Sequence, residues 1–219
     1  MFGLIYGFWK YLFSKTEYFI LILGLDHAGK TTLLEEIKTK YTKTPGLPHQ
    51  NIIPTVGLNI ARIVYEKVKL VFWDLGGQSQ LRSIWDKYYA DVHAVIYVID
   101  SSDKERFDES KDELEAIIKH EKLQDVPILL FFNKQDLKEA ESIEFLSSIF
   151  KSITSLSNQA ASSSSSSTTS PTTTTAPIFI SRSIQLQSLV ALKGQGLEEG
   201  MAWLVDNLKK SSRIILQQE

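Results

Sequence analysis

Cysteine is absent from this chain, which rules out disulfides and thiolate metal centres and suits a reducing compartment. The four histidines, His27, His49, His93 and His120, are scattered at no metal-ligand spacing, so no zinc is assigned to them. No apolar run reaches the roughly eighteen residues that a membrane-spanning helix needs. Met1 to Phe13 is apolar but too short, and it lacks the basic leader and small-residue cleavage site of a secretory signal. A cytosolic chain is the expectation. Charge of one sign is missing too: 24 Lys and Arg against 26 Asp and Glu leave a net −2, which gives no reason to expect nucleic-acid binding. What remains is an ordinary globular composition, 43% hydrophobic and 23% charged over 219 residues, enough for one large domain or two small ones.

Apolar runs that end at glycine or a polar residue mark buried parallel strands. Tyr18 to Leu23, Ala94 to Ile99 and Val126 to Phe132 are three of these. Leu58 to Tyr65 and Val68 to Asp74 read as a hairpin around a tight Glu66-Lys67 turn. Prolines at 45, 48 and 54 make residues 43–57 a loop. Helices are expected from Lys30 to about Lys40, around Phe107, Leu114, Ile117 and Ile118, and where Leu197, Met201, Leu204 and Leu208 share a face. The alternation predicts an α/β fold, a doubly wound, mostly parallel six-stranded sheet with ligands at the strand C-termini. Residues 17–210 form its domain, after an N-terminal amphipathic helix in residues 1–16 and before a tail at 211–219. A Ser/Thr-rich insertion at 155–176 is too polar to offset its ordering entropy, so disorder is expected. A tolerated surface loop and a phosphorylated or glycosylated regulatory loop are the two readings of it.

Three motifs carry chemistry. Gly24-Leu25-Asp26-His27-Ala28-Gly29-Lys30-Thr31 fits the phosphate-cradling pattern G-x-x-x-x-G-K-[ST] directly after a buried strand. Its backbone N–H groups point at phosphate oxygens, Lys30 reaches the β- and γ-phosphates, and the Thr31 hydroxyl takes a Mg²⁺ position beside Thr32. In Trp73-Asp74-Leu75-Gly76-Gly77-Gln78, Asp74 can hold Mg²⁺ through water, Gly77 can offer its N–H to a γ-phosphate, and Gln78 can orient an attacking water. In Asn133-Lys134-Gln135-Asp136 the Asp136 carboxylate can accept the guanine ring N–H and amino group, which adenine cannot reproduce. Asn133 can face the O6/N7 side, and the Lys134 stem can lie over the ring. Alone, the second motif reads as an ordinary turn and the third as a polar strand-to-helix loop; in register with a phosphate loop they imply guanine-nucleotide binding. Thr55, in Pro54-Thr55-Val56-Gly57, is the second expected metal ligand.

These residues resemble the ADP-ribosylation-factor (Arf) family of small GTPases, through Gly24-Leu25-Asp26, Pro54-Thr55-Val56-Gly57-Leu58-Asn59, the Trp73 and Asn133 motifs and the Leu197-Glu198-Glu199-Gly200 helix start. Trp85-Asp86-Lys87-Tyr88-Tyr89 and the unusual N-terminus are most similar to a trans-Golgi branch of that family. The resemblance implies a monomeric switch with GTP/GDP and Mg²⁺ as cofactors, soluble with GDP and peripheral on Golgi membranes with GTP. It implies slow hydrolysis, by Gln78 and Lys30, and control of vesicle or protein traffic. Partners implied are an exchange factor, an activating protein, and effectors at a hydrophobic triad of Leu58, Trp73 and Tyr88. The hairpin at about 58–73 is expected to slide and evict the N-terminal helix. Three departures stand out. Phe2 replaces the myristate-accepting glycine, implying an acetylated Met1 read by a Golgi docking protein through residues 1–13. Val190-Ala191-Leu192-Lys193 keeps an Ala191 backbone to meet guanine O6 but lacks a polar neighbour, and His27 replaces a small or amide residue. No arginine is evidently placed to act in cis, which implies dependence on a partner's arginine finger. The alternatives are a GTP-loaded membrane scaffold or receptor subunit that does not turn over, against which Gln78 and Thr55 speak, and an ATP-dependent kinase or transport ATPase, against which Asp136 speaks.

Overall fold

The computed structural model describes residues 17–42, 46–48, 50, 52–159, 182–211 and 213. The expected N-terminal helix and most of the Ser/Thr-rich segment lie outside them. Six strands form one sheet: β1 (Glu17–Leu23), β2 (Leu58–Tyr65), β3 (Val68–Leu75), β4 (Ala94–Asp100), β5 (Ile128–Asn133) and β6 (Ile184–Ser188), in the order β2-β3-β1-β4-β5-β6. Only β2 runs antiparallel, joined to β3 with Tyr65 opposite Val68. The intervening Glu66 and Lys67 both take positive φ, 47° and 68°, the geometry of a two-residue hairpin turn.

Successive β1 side chains serve two cores. Ile20 and Ile22 pack under α1 (Lys30–Tyr41) and α5 (Leu197–Lys210), whereas Leu21 and Leu23 face α3 (Phe107–Lys119) and α4 (Ile143–Gln159). Burial on both faces explains why these strands read as unbroken apolar runs. The stripe Leu197, Met201, Leu204 and Leu208 is fully buried, as its spacing predicts.

Two features differ from the sequence reading. Helix α4 continues to Gln159, so residues 155–159 of the expected insertion are helical backbone. The composition of the tract masks this, because Ser and Thr are poor helix formers but are carried by a helix already nucleated upstream. In the expected tail, Arg213 is held: its guanidinium reaches Asp125 Oδ1 at 2.6 Å and the carbonyls of Lys122, Tyr89 and Ala90 at 3.0, 3.1 and 3.4 Å. Arg182, 6% exposed at the entry to β6, donates to the carbonyls of Ile118 and Leu123 and closes the end of α3. The N-terminal end of the β1–β4 pair is closed by buried His93, whose Nδ1 accepts the Phe19 N–H at 3.0 Å.

Candidate functional site

All three motifs follow the C-terminal ends of parallel strands: residues 24–29 after β1, 76–78 after β3 and 134–136 after β5. They frame a cleft of about 370 Å³. Of the expected site residues, Asp26, His27, Gly29, Lys30, Thr31, Thr32, Thr55, Gly77, Gln78, Asn133, Lys134, Asp136 and Ala191 line it. Gly24, Ala28 and Asp74 do not line the cleft. Ile52, Ile53, Pro54, Val190 and Leu192 line it too and were not expected.

The phosphate loop is shaped by backbone geometry. Gly29 has φ 96°, and a Cβ there would stand 2.3 Å from Asn133 Nδ2, so only glycine fits. His27 also sits in the left-handed region at φ 61°, with its side chain in solvent and 3.5 Å from Asp26. Lys30 is 6% exposed and donates to the Gly24 and Leu25 carbonyls at 2.9 and 2.8 Å, which centres its charge inside the loop. Burial lowers its pKa to about 8, against the opposing pull of Asp74 and Asp26.

Three oxygens cluster beside it. Thr31 Oγ1 lies 2.8 Å from Thr55 Oγ1 and donates to Asp74 Oδ2 at 2.7 Å, and Thr55 donates to the same oxygen at 3.3 Å. The other oxygen, Asp74 Oδ1, is buried without a partner. Burial raises the Asp74 pKa, partly offset by Thr31 and Lys30. A hard divalent cation takes oxygen donors such as these, and a water in such an ion's shell would satisfy the orphaned carboxylate oxygen. The donor set fits Mg²⁺.

At the base end, Asn133, Lys134, Asp136 and Ala191 share one wall of the cleft. Asn133 lines the cleft while its amide also bridges two loops: its Nδ2 donates to Ala28 O at 2.8 Å and its Oδ1 accepts the Ala191 N–H at 2.9 Å. The Ala191 N–H, expected to meet guanine O6, thus points toward the Asn133 side chain at the edge of the cleft. Sequence alone does not show this bridging, because a base-facing amide and a loop-bridging one need the same side chain at the same place. Asp136 does face the cleft, with Lys193 Nζ 3.2 Å from its Oδ2. Lys134 Nζ is 2.5 Å from Asp100 Oδ2, which holds its stem in place.

Two arginines converge on the loop. Arg106 donates to Asp26 Oδ1 at 2.9 Å and to its carbonyl at 3.0 Å. Arg82, from the short helix α2 (Ser79–Arg82), donates from Nε to Gly77 O at 2.8 Å and pairs with Glu109 at 2.8 Å and Glu113 at 3.0 Å. Burial would lower the Arg82 pKa, but the two glutamates outweigh it and hold it above the ordinary arginine value. Both guanidiniums are thus spent on carboxylates. Arg82 and Trp85 follow Gln78 by four and seven residues, a helical spacing that could have placed them on one face. Arg106 lies 80 residues from Asp26 and carries no such signal.

On the hairpin, Trp73 and Tyr88 rings meet edge to face at 5.6 Å, and Trp73 lies opposite Ile60. Leu58, opposite Leu75, shares that sheet face, so exposed Ile60 joins the expected triad.

A Walker-type phosphate loop, an Asp-x-Gly-Gly-Gln turn and an Asn-Lys-x-Asp loop on a six-stranded α/β sheet define a small GTPase. Residues 5–208 match the model of the ADP-ribosylation factor family, and the chain belongs to that family. It is 44% identical to ADP-ribosylation factor-related protein 1 of Homo sapiens and of Rattus norvegicus over 206 residues, 94% of this chain and 92% of each relative. ADP-ribosylation factor-like protein 3 of Saccharomyces cerevisiae is 35% identical over 214 residues, 97% of this chain and 96% of the relative. Among solved structures, the Arl6 BBS3 small GTPase of Trypanosoma brucei with bound nucleotide analogue GppNp superposes with TM-score 0.69 and 29% identity, over 90% of this chain and all of that one. The chain is accordingly a GTPase that binds GTP and GDP with Mg²⁺.

Proposed function

We propose that this protein is a GDP/GTP switch, recruited to trans-Golgi membranes in its GTP state to control vesicle or protein traffic, and slow to hydrolyse GTP until an activating protein engages it. One observation carries the switch: Thr55, from the loop before β2, reaches the Thr31–Asp74 pair at 2.8 and 3.3 Å. A loop held through a cation-binding hydroxyl reports whether a γ-phosphate is there to complete that cation's shell. In this reading Thr31 and Thr55 bind Mg²⁺ directly and Asp74 binds it through water. The ion, when bound, offsets charge on the phosphate oxygens. Lys30 binds the β- and γ-phosphates, the Gly77 N–H meets the γ-phosphate, Gln78 orients the attacking water, and Asp136 accepts from the guanine edge.

The slow intrinsic rate follows from the arginines. Arg82 and Arg106 are neutralised by Glu109, Glu113, Asp103 and Asp26, so a partner's arginine is left to stabilise the transition state, worth about 10³–10⁵ in rate. The face of exposed Leu58 and Ile60 beside half-buried Trp73 and Tyr88 suits exchange factors, activators and effectors. Golgi recruitment is supported by the family resemblance and the Phe2-bearing N-terminus. The test is to identify the nucleotide released from purified protein and to measure turnover with and without candidate activators. Guanine nucleotide alone is expected, with Gln78→Leu abolishing stimulated hydrolysis; comparable affinity for ATP and GTP contradicts the reading. Membrane recovery of the GTP form but not the GDP form tests recruitment.

A further inference from the structure

Gly76 and Gly77 have no side chains to hold them, and glycine backbone is the freest in the chain. Yet this segment must present one N–H and one glutamine in fixed directions. A carbonyl and the N–H of the next residue lie in one rigid plane, so fixing the carbonyl fixes the N–H. The plane between Gly76 and Gly77 is held at Gly76 O, which accepts from Trp85 Nε1 at 3.1 Å. Trp85 is 2% exposed, so water does not compete for that bond. The plane between Gly77 and Gln78 is held at Gly77 O, which accepts from Arg82 Nε at 2.8 Å and from the Asp26 N–H at 3.2 Å. The Arg82 side chain is 9% exposed and is itself fixed by Glu109 and Glu113 of α3. The Gly76 N–H is spent on Gly57 O at 3.2 Å. Gly77 N–H is left without a protein acceptor among the described residues. It lies at the phosphate end of the cleft, where a Cβ on Gly77 would stand 2.4 Å from Lys30 Nζ.

We infer that Trp85 and Arg82 are positioning residues of the GTPase reaction: Trp85 aims the Gly77 N–H at the terminal phosphate, and Arg82 sets the peptide that carries Gln78. The inference deepens the roles proposed above for Gly77 and Gln78 and rests on them. It also gives Arg82 a task other than charge stabilisation, since its charge is already matched by two glutamates. Both donors come from the segment immediately after Gln78, so ordering of that segment and aiming of the two peptides are one event.

The test uses the full chain with Trp85→Phe, which removes only the indole donor, and Arg82→Lys, which keeps charge but loses the planar Nε donor. Affinities for GDP and a non-hydrolysable GTP analogue, single-turnover hydrolysis and melting temperature are measured, with Gly77→Ala as reference. Each positioning variant is expected to lose about tenfold in analogue affinity and in single-turnover rate, with GDP affinity held within about twofold, the effect of one buried bond. Should Trp85→Phe fail to fold, Arg82→Lys on the outer helix decides. Equal losses for GDP and analogue, tracking melting temperature, make the residues structural only and overturn the inference. A GDP-to-GTP ratio that collapses in Gly77→Ala but holds in both positioning variants overturns the positioning role alone. A ratio unchanged in Gly77→Ala overturns the role of Gly77 itself, and the inference with it.

Discussion

The Asn133 Nδ2 donates to the Ala28 carbonyl across 2.8 Å, joining two residues 105 positions apart. Its Oδ1 takes the Ala191 N–H at 2.9 Å, so one amide ties the phosphate loop to the loop after β6. Asn133→Ala leaves a buried carbonyl and a buried N–H unpaired, a loss of about 2–3 kcal/mol. Because both loops serve either nucleotide, GDP and GTP affinities are expected to fall together. Competition binding with a fluorescent GDP checks this; a loss confined to one nucleotide contradicts it.

Asp136 gives a different signature. In the proposed reading its carboxylate accepts from the guanine ring N–H and the 2-amino group, and inosine diphosphate lacks the second. Asp136→Ala is expected to weaken GDP by about 3 kcal/mol or more, two charge-assisted bonds, and inosine diphosphate by less. The two affinities converge in the variant. If their ratio is the same in wild type and variant, Asp136 does not read the base.

His93 makes stability depend on acid. Burial, with a smaller contribution from Arg213, lowers its pKa to about 4, below the unfolded value of about 6.5. The folded protein therefore resists a proton that the unfolded chain accepts. The His93 contribution is complete above pH 6.5 and is lost as pH falls toward 4, by up to about 1.4 kcal/mol per pH unit. His93→Asn keeps an acceptor near the Phe19 N–H but does not titrate. Urea melts across this range are expected to show a shallower acid slope for the variant.

Much of the architecture is legible in the chain because parallel strands buried on both faces announce themselves as apolar runs, as Ile20 to Leu23 and Ala94 to Ile99 do. The cleft is legible for a related reason: its glycines and its lysine answer local backbone demands, which sequence spacing encodes. Long-range closures are not. Nothing near Arg106 signals Asp26, and nothing near Asn133 signals Ala28, because those pairings exist only once β1, β4 and β5 lie side by side. Helix α4 was hidden for the opposite reason, a strong compositional signal downstream drawing attention from the amphipathic stretch Leu146 to Phe150, whose ends are fully buried.

Arg182 anchors the return of the chain to β6, donating to the Ile118 and Leu123 carbonyls. Arg182→Ala strands two buried acceptors at the end of α3 and is expected to cost about 2–4 kcal/mol. Nucleotide affinity should be unchanged at temperatures where the protein stays folded. Thermal melts alongside GDP titrations separate the two effects; a matched drop in GDP affinity well below the melting range would show coupling to the cleft.

Arg213 stands three residues beyond the last helix, yet its contacts to Tyr89 and Ala90 reach directly behind the Trp85-to-Tyr88 segment. Arg213 is therefore a strut, not a handle. A version trimmed before Arg213, or one whose added tag pulls that residue outward, is expected to loosen the backing of the face proposed to meet partners. Pull-downs made with such a version are expected to recover partners of that face less well than the full chain does.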